Sequence, residues 1–260
     1  DSEFKLLNSN IINERWRGKA FADLSENDKR RLKNYTIHAI VFEQKHPSND
    51  SGLFQVFERI NTSGTTLNDQ EIRNCVYQGA MNTLLFAVNK HDKWRVLYGG
   101  QEEDSRMMDL ELILRFYALN CGNVYNSDKK KISLKQTLNK YMQDNMHASD
   151  EFINEKESEF CSAIDFVYTN FGEEAFFNLQ NDLTKIRRRL YPTVFDSIMI
   201  ATSIALNRGY VYNGENLKEK RMNLLKDAMY RDSISQGTMK VDNIRTRISL
   251  ALRFLYGMEL

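Results

Sequence analysis

Proline is scarce in this chain: two residues in 260, Pro47 and Pro192. So few breakers leave room for many uninterrupted helices. Cysteine is scarce too. Cys75, Cys121 and Cys161 are odd in number, far apart and without a C-x-x-C pair, which argues against a disulfide framework and reads as reduced thiols, mostly filling core. The four histidines (His38, His46, His91, His147) form no HxH or HxxxH pattern and do not cluster with cysteine. Neither a zinc site nor an HNH-type nuclease motif is supported, and no Ser/His/Asp or Cys/His nucleophile arrangement can be assembled. No apolar run approaches the ~20 residues a membrane span needs. Charge of one sign is also lacking: 36 Lys and Arg stand against 35 Asp and Glu, a net +1. A strongly basic surface is therefore excluded, and any contact with nucleic acid must come from a local patch.

What the chain does have is core material: 15 Phe, 12 Tyr and 10 Met, with a 42% apolar fraction. That composition is globular rather than disordered. Leu53, Val56, Phe57 and Ile60 follow the i, i+3, i+4, i+7 spacing of an amphipathic helix. The stretch from Leu110 to Leu119 is apolar nearly all round and predicts a deeply buried helix. Val241, Ile244, Ile248, Leu252 and Leu255 give a last amphipathic helix. Further helices are expected over 132–145, 150–170, 193–208 and 216–231, with Pro192 in the first-turn position of the third. Residues 25–33 read as a polar helix capped by Ser25. The run from Tyr35 to Phe42 is rich in β-branched and aromatic residues and reads as a strand. Residues 46–52 and 121–131 read as loops. The expected fold class is mainly α: a multi-helical body over 81–260, preceded over 1–80 by a small α/β remnant. A lone strand needs partners from elsewhere. The first ten residues have neither a basic n-region nor an apolar h-region, so they do not read as a signal peptide, and the chain starts without Met, as a remainder of something longer would. The expected location is the cytoplasm.

The most informative segment is Phe57-Glu-Arg-Ile-Asn-Thr-Ser-Gly-Thr-Thr-Leu-Asn-Asp-Gln-Glu-Ile-Arg-Asn74. It reads as a helix end, a polar turn and a helix start. Gly64 suits a positive φ after the first helix. Asn68 and Glu71 form a variant capping box, with Leu67 and Ile72 as its staple. Capping alone accounts for much of this polar density. Arg59, Asn61, Thr62, Ser63, Thr65, Thr66 and Arg73 go beyond it, since a turn rich in small side chains before a helix N-terminus can hold a phosphate. Asp69 and Glu71 would repel a bare anion and tolerate one accompanied by Mg²⁺. A DNA-reading helix–turn–helix ranks low, because the second helix, expected from Gln70 to Asn89, turns apolar and carries little positive charge beyond Arg73.

This string resembles the signature F-x-R-x-N-x-x-G-x-x-L-x-x-x-E-x-R-N of the ParB-like DGQQR-motif domain family, found in GmrS- and GmrSD-type modification-dependent restriction systems. The matching residues are Phe57, Arg59, Asn61, Gly64, Leu67, Glu71, Arg73 and Asn74. Phe4-Lys-Leu, residues 18–24, residues 233–238 and residues 243–248 follow the family's order more loosely. The resemblance implies a bacterial anti-phage protein with an NTP-binding or nuclease module, NTP with Mg²⁺ as cofactor, nucleotide and DNA as partners, and a homo-oligomer or a separate upstream or nuclease half. It implies Glu71 and Arg59 as catalytic residues, with Asn61, Gly64, Arg73 and Asn74 binding nucleotide or nucleic acid. The family's DGQQR loop is not among the 260 residues, so this chain alone is expected to be catalytically incompetent.

Three other features are candidates. Arg245 and Arg247 flank the apolar stripe of the last helix and either join a polar site with Gly237, Thr238 and Lys240 or, more commonly, snorkel or pair with a carboxylate. The basic runs 129–131 and 187–189 read first as solvated loop and helix surface, and second as phosphate contacts. Tyr168, Tyr191 and Phe195 could stack on bases but at helical spacing read as core. Two alternatives to the enzyme module stand beside it: a non-enzymatic helical interaction module, and a DNA-binding domain.

Overall fold

The computed structural model describes residues 4–36, 39, 41, 52, 54, 56, 59, 66–122, 124–180 and 182–260. They are mainly α-helical, as the scarcity of proline predicts. The chain divides into two compact units, 1–43 and 44–260. The expected boundary at residue 80 falls inside the second.

The first unit has one short 3₁₀ turn, Phe21–Asp23, and helix α1, Glu26–Lys33. Ser25 caps α1, its hydroxyl accepting from the Asp28 N–H at 3.2 Å. A single antiparallel bridge joins Lys5 to Ala20. The strand expected over 35–42 is not found at Tyr35, Thr36, Ala39 or Val41. Its other four residues lie outside those described.

The second unit contains Gly52, Phe54, Val56 and Arg59 in helical conformation and the helices α2 (Asp69–Val76), α3 (Ala80–Asn89), α4 (Asp92–Tyr98), α5 (Met108–Asn120), α6 (Leu134–Asp144), α7 (Asp150–Phe171), α8 (Pro192–Asn207), α9 (Leu217–Lys226), α10 (Ala228–Ser235) and α11 (Val241–Ala251). A π-helical turn, Leu252–Tyr256, continues α11. The only sheet among the described residues is a hairpin of β1 (Phe177–Leu179) and β2 (Ile186–Leu190). The expected loop or helix surface at 187–189 is thus a strand.

Helix α8 is the centre, packed against α5, α7 and α11. Its run Val-Phe-Asp-Ser-Ile-Met-Ile-Ala is buried throughout, as is most of α5, in keeping with their all-round apolar sequences. The aromatic core meets edge to face: Phe176 lies 4.9 Å from Phe195, and Phe160 contacts both Trp94 (5.9 Å) and Phe116 (5.7 Å). Such geometry sets ring edges against the negative faces of their neighbours.

Two expected helices are each broken. The helix drawn from Gln70 to Asn89 splits at Gly79, where a Cβ would stand 2.2 Å from the Met146 carbonyl oxygen. That oxygen accepts from the Ala80 N–H at 2.9 Å, so the close approach itself orders the start of α3. The helix over 216–231 splits at Asp227, which ends α9 with extended backbone (ψ 129°) and caps α10 by accepting from Tyr230 N–H at 2.8 Å. The three cysteines are free and none is fully buried; Cys75 is exposed, so it fills no core.

Candidate functional site

The described part of the 57–74 segment starts from its caps. Asn68 Oδ1 accepts from the Gln70 and Glu71 N–H groups, both at 2.9 Å, and Glu71 Oε2 accepts from the Asn68 N–H at 2.6 Å. The capping box is therefore present. Asn68 Nδ2 also donates to the Arg106 carbonyl at 2.6 Å, and Arg106 returns a guanidinium to the Thr66 carbonyl (2.9 Å) and to Glu71 (3.3 Å). The residues leading into α2 are thus tied to the loop before α5.

This arrangement bears on the phosphate expected here. The N–H groups of Gln70 and Glu71 already have acceptors, and the carboxylates of Asp69 and Glu71 occupy the first turn of α2. The described end of the segment does not fit a triphosphate. Arg59 is exposed on its helix; Asn61 and Gly64 lie outside the described residues.

Arg73 and Asn74 point inward instead. Arg73 is 1% exposed and donates to Glu111 (2.6 Å), Gln70 (2.8 Å) and Asn139 (3.4 Å). Burial lowers its pKa, and Glu111 works against that shift. Asn74 Oδ1 accepts from Asn82 at 2.9 Å, joining α2 to α3. Arg245 is exposed and donates to the Tyr125 carbonyl at 2.9 and 2.6 Å, with Asp242 at 3.4 Å. Arg247, fully buried, donates to the Thr238 carbonyl at 2.6 Å and lies 3.5 Å from Asp196. Arg59, Glu71, Arg73, Asn74, Arg245 and Arg247 are therefore not gathered at one place by any contact among the described residues. The carboxylate pairing weighed for Arg245 and Arg247 is present in both.

A buried charge cluster went unread in the sequence. Arg115 on α5 donates to both oxygens of Asp196 on α8, at 3.1 and 2.5 Å. Arg247 on α11 approaches the same carboxylate, and its Nε has no hydrogen-bond partner. Burial lowers the Arg247 pKa; for Arg115 the facing carboxylate more than offsets burial and the pKa is raised. Ser197 and Tyr230 share a 2.6 Å hydroxyl bond beside it. Arg115 and Asp196 each stand alone in an apolar run (LILRFYAL, TVFDSIMI), and that isolation was the available signal, because a buried charge must be paired; Arg247, in NIRTRISL, carries no such signal.

Two adjoining clefts of about 490 Å³ each share Cys121, Tyr141 and Asn145. One has Lys129, Lys131 and Lys140 at its rim; Lys140 pairs with Asp144 at 2.8 Å. In the other, Glu159 is saturated by Asn120, Ser203 and Lys156 at 2.6–2.8 Å. Neither cleft sets a nucleophile against a base, so they offer binding surface rather than reaction chemistry.

Comparison with protein-family models, with curated proteins and with solved structures finds no match. Fold and site together define a mainly helical protein in which Arg73 and Asn74 tie α2 to α5 and α3. No described helix is long and apolar enough to cross a membrane.

Proposed function

We propose that this chain acts in a bacterial modification-dependent restriction system, with its 57–74 segment belonging to a ParB-like, DGQQR-type module that is continued by a helical body. The observation that carries the reading is the eight-residue match from Phe57 to Asn74. Its E-x-R-N end also has a physical rationale in this chain. Glu71 closes the capping box, Arg73 fixes α2 to α5 through Glu111, and Asn74 ties α2 to α3. In this reading α2 holds the preceding turn in place, and any group that meets nucleotide and Mg²⁺ lies upstream, at Arg59, Asn61 and Gly64 and in the family's own loop.

The test is titration calorimetry with ATP and GTP plus Mg²⁺ on the chain joined to a DGQQR-bearing upstream segment. Binding that falls at least about tenfold, or ~1.4 kcal/mol, in Asn61→Ala and Arg59→Ala supports the reading. Equal binding by wild type and both variants removes these residues from the site. The second reading, a helical interaction module without catalysis, is favoured by the engagement of Glu71, Arg73 and Arg247 in purely internal bonds. It requires that no version binds nucleotide.

A further inference from the structure

The β1–β2 hairpin carries an arrangement of charge that its own fold does not need. The strands pair Phe177 with Leu190, then Asn178 with Arg187. One step along β1 thus corresponds to three along β2, and Arg188 and Arg189 are inserted without cross-strand partners. A bulge of this kind re-aims the side chains it displaces. Arg187 and Arg189 both turn to one neutral oxygen, the Tyr191 hydroxyl, at 3.0 and 3.4 Å, with the Arg189 guanidinium 5.1 Å over the Tyr191 ring. Arg188 is exposed and takes no partner among the described residues. No carboxylate pairs with Lys185, Arg187, Arg188 or Arg189 among the described residues. The nearest acid in sequence, Asp182, is committed to its own turn through the Thr184 N–H and hydroxyl at 3.1 and 2.7 Å. Two like charges drawn to a single uncharged acceptor are repelled by one another, and an anion between them would relieve that. The Tyr191 phenol already responds, its pKa lowered by the Arg189 hydrogen bond and the neighbouring charges.

We propose that this hairpin is a nucleic-acid contact, in which Arg187, Arg188 and Arg189 bind backbone phosphates of duplex DNA. Three points select that partner. Guanidinium forks match phosphate oxygens in geometry as well as charge. A two-stranded ribbon is narrow enough to enter the major groove and reach phosphates along it. An anionic membrane is disfavoured because no large apolar side chain between Phe177 and Tyr191 is exposed to insert into it. The ribbon is also held rigidly: Arg221 on α9, 4% exposed, donates to the carbonyls of Ala175 (2.8 Å), Glu174 (2.5 Å) and Phe177 (2.6 Å). The inference stands on the hairpin alone and does not rest on the restriction-module reading.

Fluorescence anisotropy of a labelled duplex of about 20 bp, titrated with the chain between about 50 and 200 mM salt, tests it. Three phosphate contacts predict a slope of log K against log salt of about −2.7. Arg188→Gln, which breaks no internal bond, is expected to flatten that slope by about 0.9. The triple variant R187Q/R188Q/R189Q is expected to abolish most of it and to weaken binding more than about tenfold at low salt. Arg30→Gln, exposed on α1, is expected to leave both unchanged. No binding by the wild type at low salt overturns the proposal, as does an unchanged slope in both arginine variants. Equal affinity for a polyglutamate peptide of similar charge would overturn the assignment to nucleic acid. None of these outcomes bears on nucleotide calorimetry at the 57–74 segment.

Discussion

Asp196 accepts from two buried guanidinium groups, and removing it strands both. Asp196→Ala is expected to lower stability by about 3–5 kcal/mol, because uncompensated buried charge costs far more than the pair contributes. Arg247→Met leaves Arg115 and Asp196 as a neutral bidentate pair and removes an unsatisfied Nε, so its cost should be smaller by at least ~2 kcal/mol. Urea unfolding of both variants measures the difference; equal losses would mean that Arg247, not Arg115, carries the carboxylate. Single residues were also where the sequence was most readable. Ser25, Asn68 with Glu71, and Pro192 were identifiable because capping is decided within four residues of chain. The destination of Arg73 was not, since Glu111 lies 38 residues away and nothing local names it.

At the scale of elements, the same contrast separates what was read from what was missed. Helices α5, α6, α7 and α8 lie within two residues of their expected ranges, because uninterrupted 3.6-residue periodicity is a long signal. The breaks at Gly79 and Asp227 were missed. The first depends on Met146, from the turn after α6, and the second on a cap inside an otherwise helical pattern. The hairpin was missed because β1 is three residues long and the bulge in β2 erases alternation. Asn68→Ala is expected to lower stability by about 1 kcal/mol through the lost cap. Gly79→Ala is expected to cost about 1–3 kcal/mol, since a Cβ cannot occupy the space of the Met146 carbonyl without displacing backbone. Thermal melts of the two variants check both, and a Gly79→Ala variant as stable as wild type would show that α3 can shift away.

For the whole molecule, buried tyrosines decide the behaviour at high pH. Burial raises the pKa of Tyr117, Tyr141, Tyr230 and Tyr256; Tyr230, fully buried, is pushed up to about 12. Unfolded tyrosine ionises near 10. The neutral form is therefore favoured by the fold, and this contribution is complete below pH ~10. Above it the unfolded state sheds protons that the folded state still holds, so stability falls as pH rises from about 10 through 12. Denaturant midpoints at pH 9, 10 and 11 should decline progressively, and a flat profile would contradict the burial of these phenols. The helical class was legible at this scale from two prolines and an abundance of apolar periodicity. The 57–74 segment was legible as a string of residues, but the destination of Arg73 was not, because its Glu111 partner is set by a tertiary contact.

The clasp on the hairpin has a consequence for how this protein can vary. Arg221 reads only carbonyl oxygens, and every amino acid presents the same oxygen. The hydrogen bonds of Arg221 thus make no demand on the side chains of residues 174, 175 and 177, while lysine could not replace Arg221, since a single ammonium does not reproduce the directed donors of a guanidinium. A ribbon held through its main chain keeps its support when the side chains on its exposed face change.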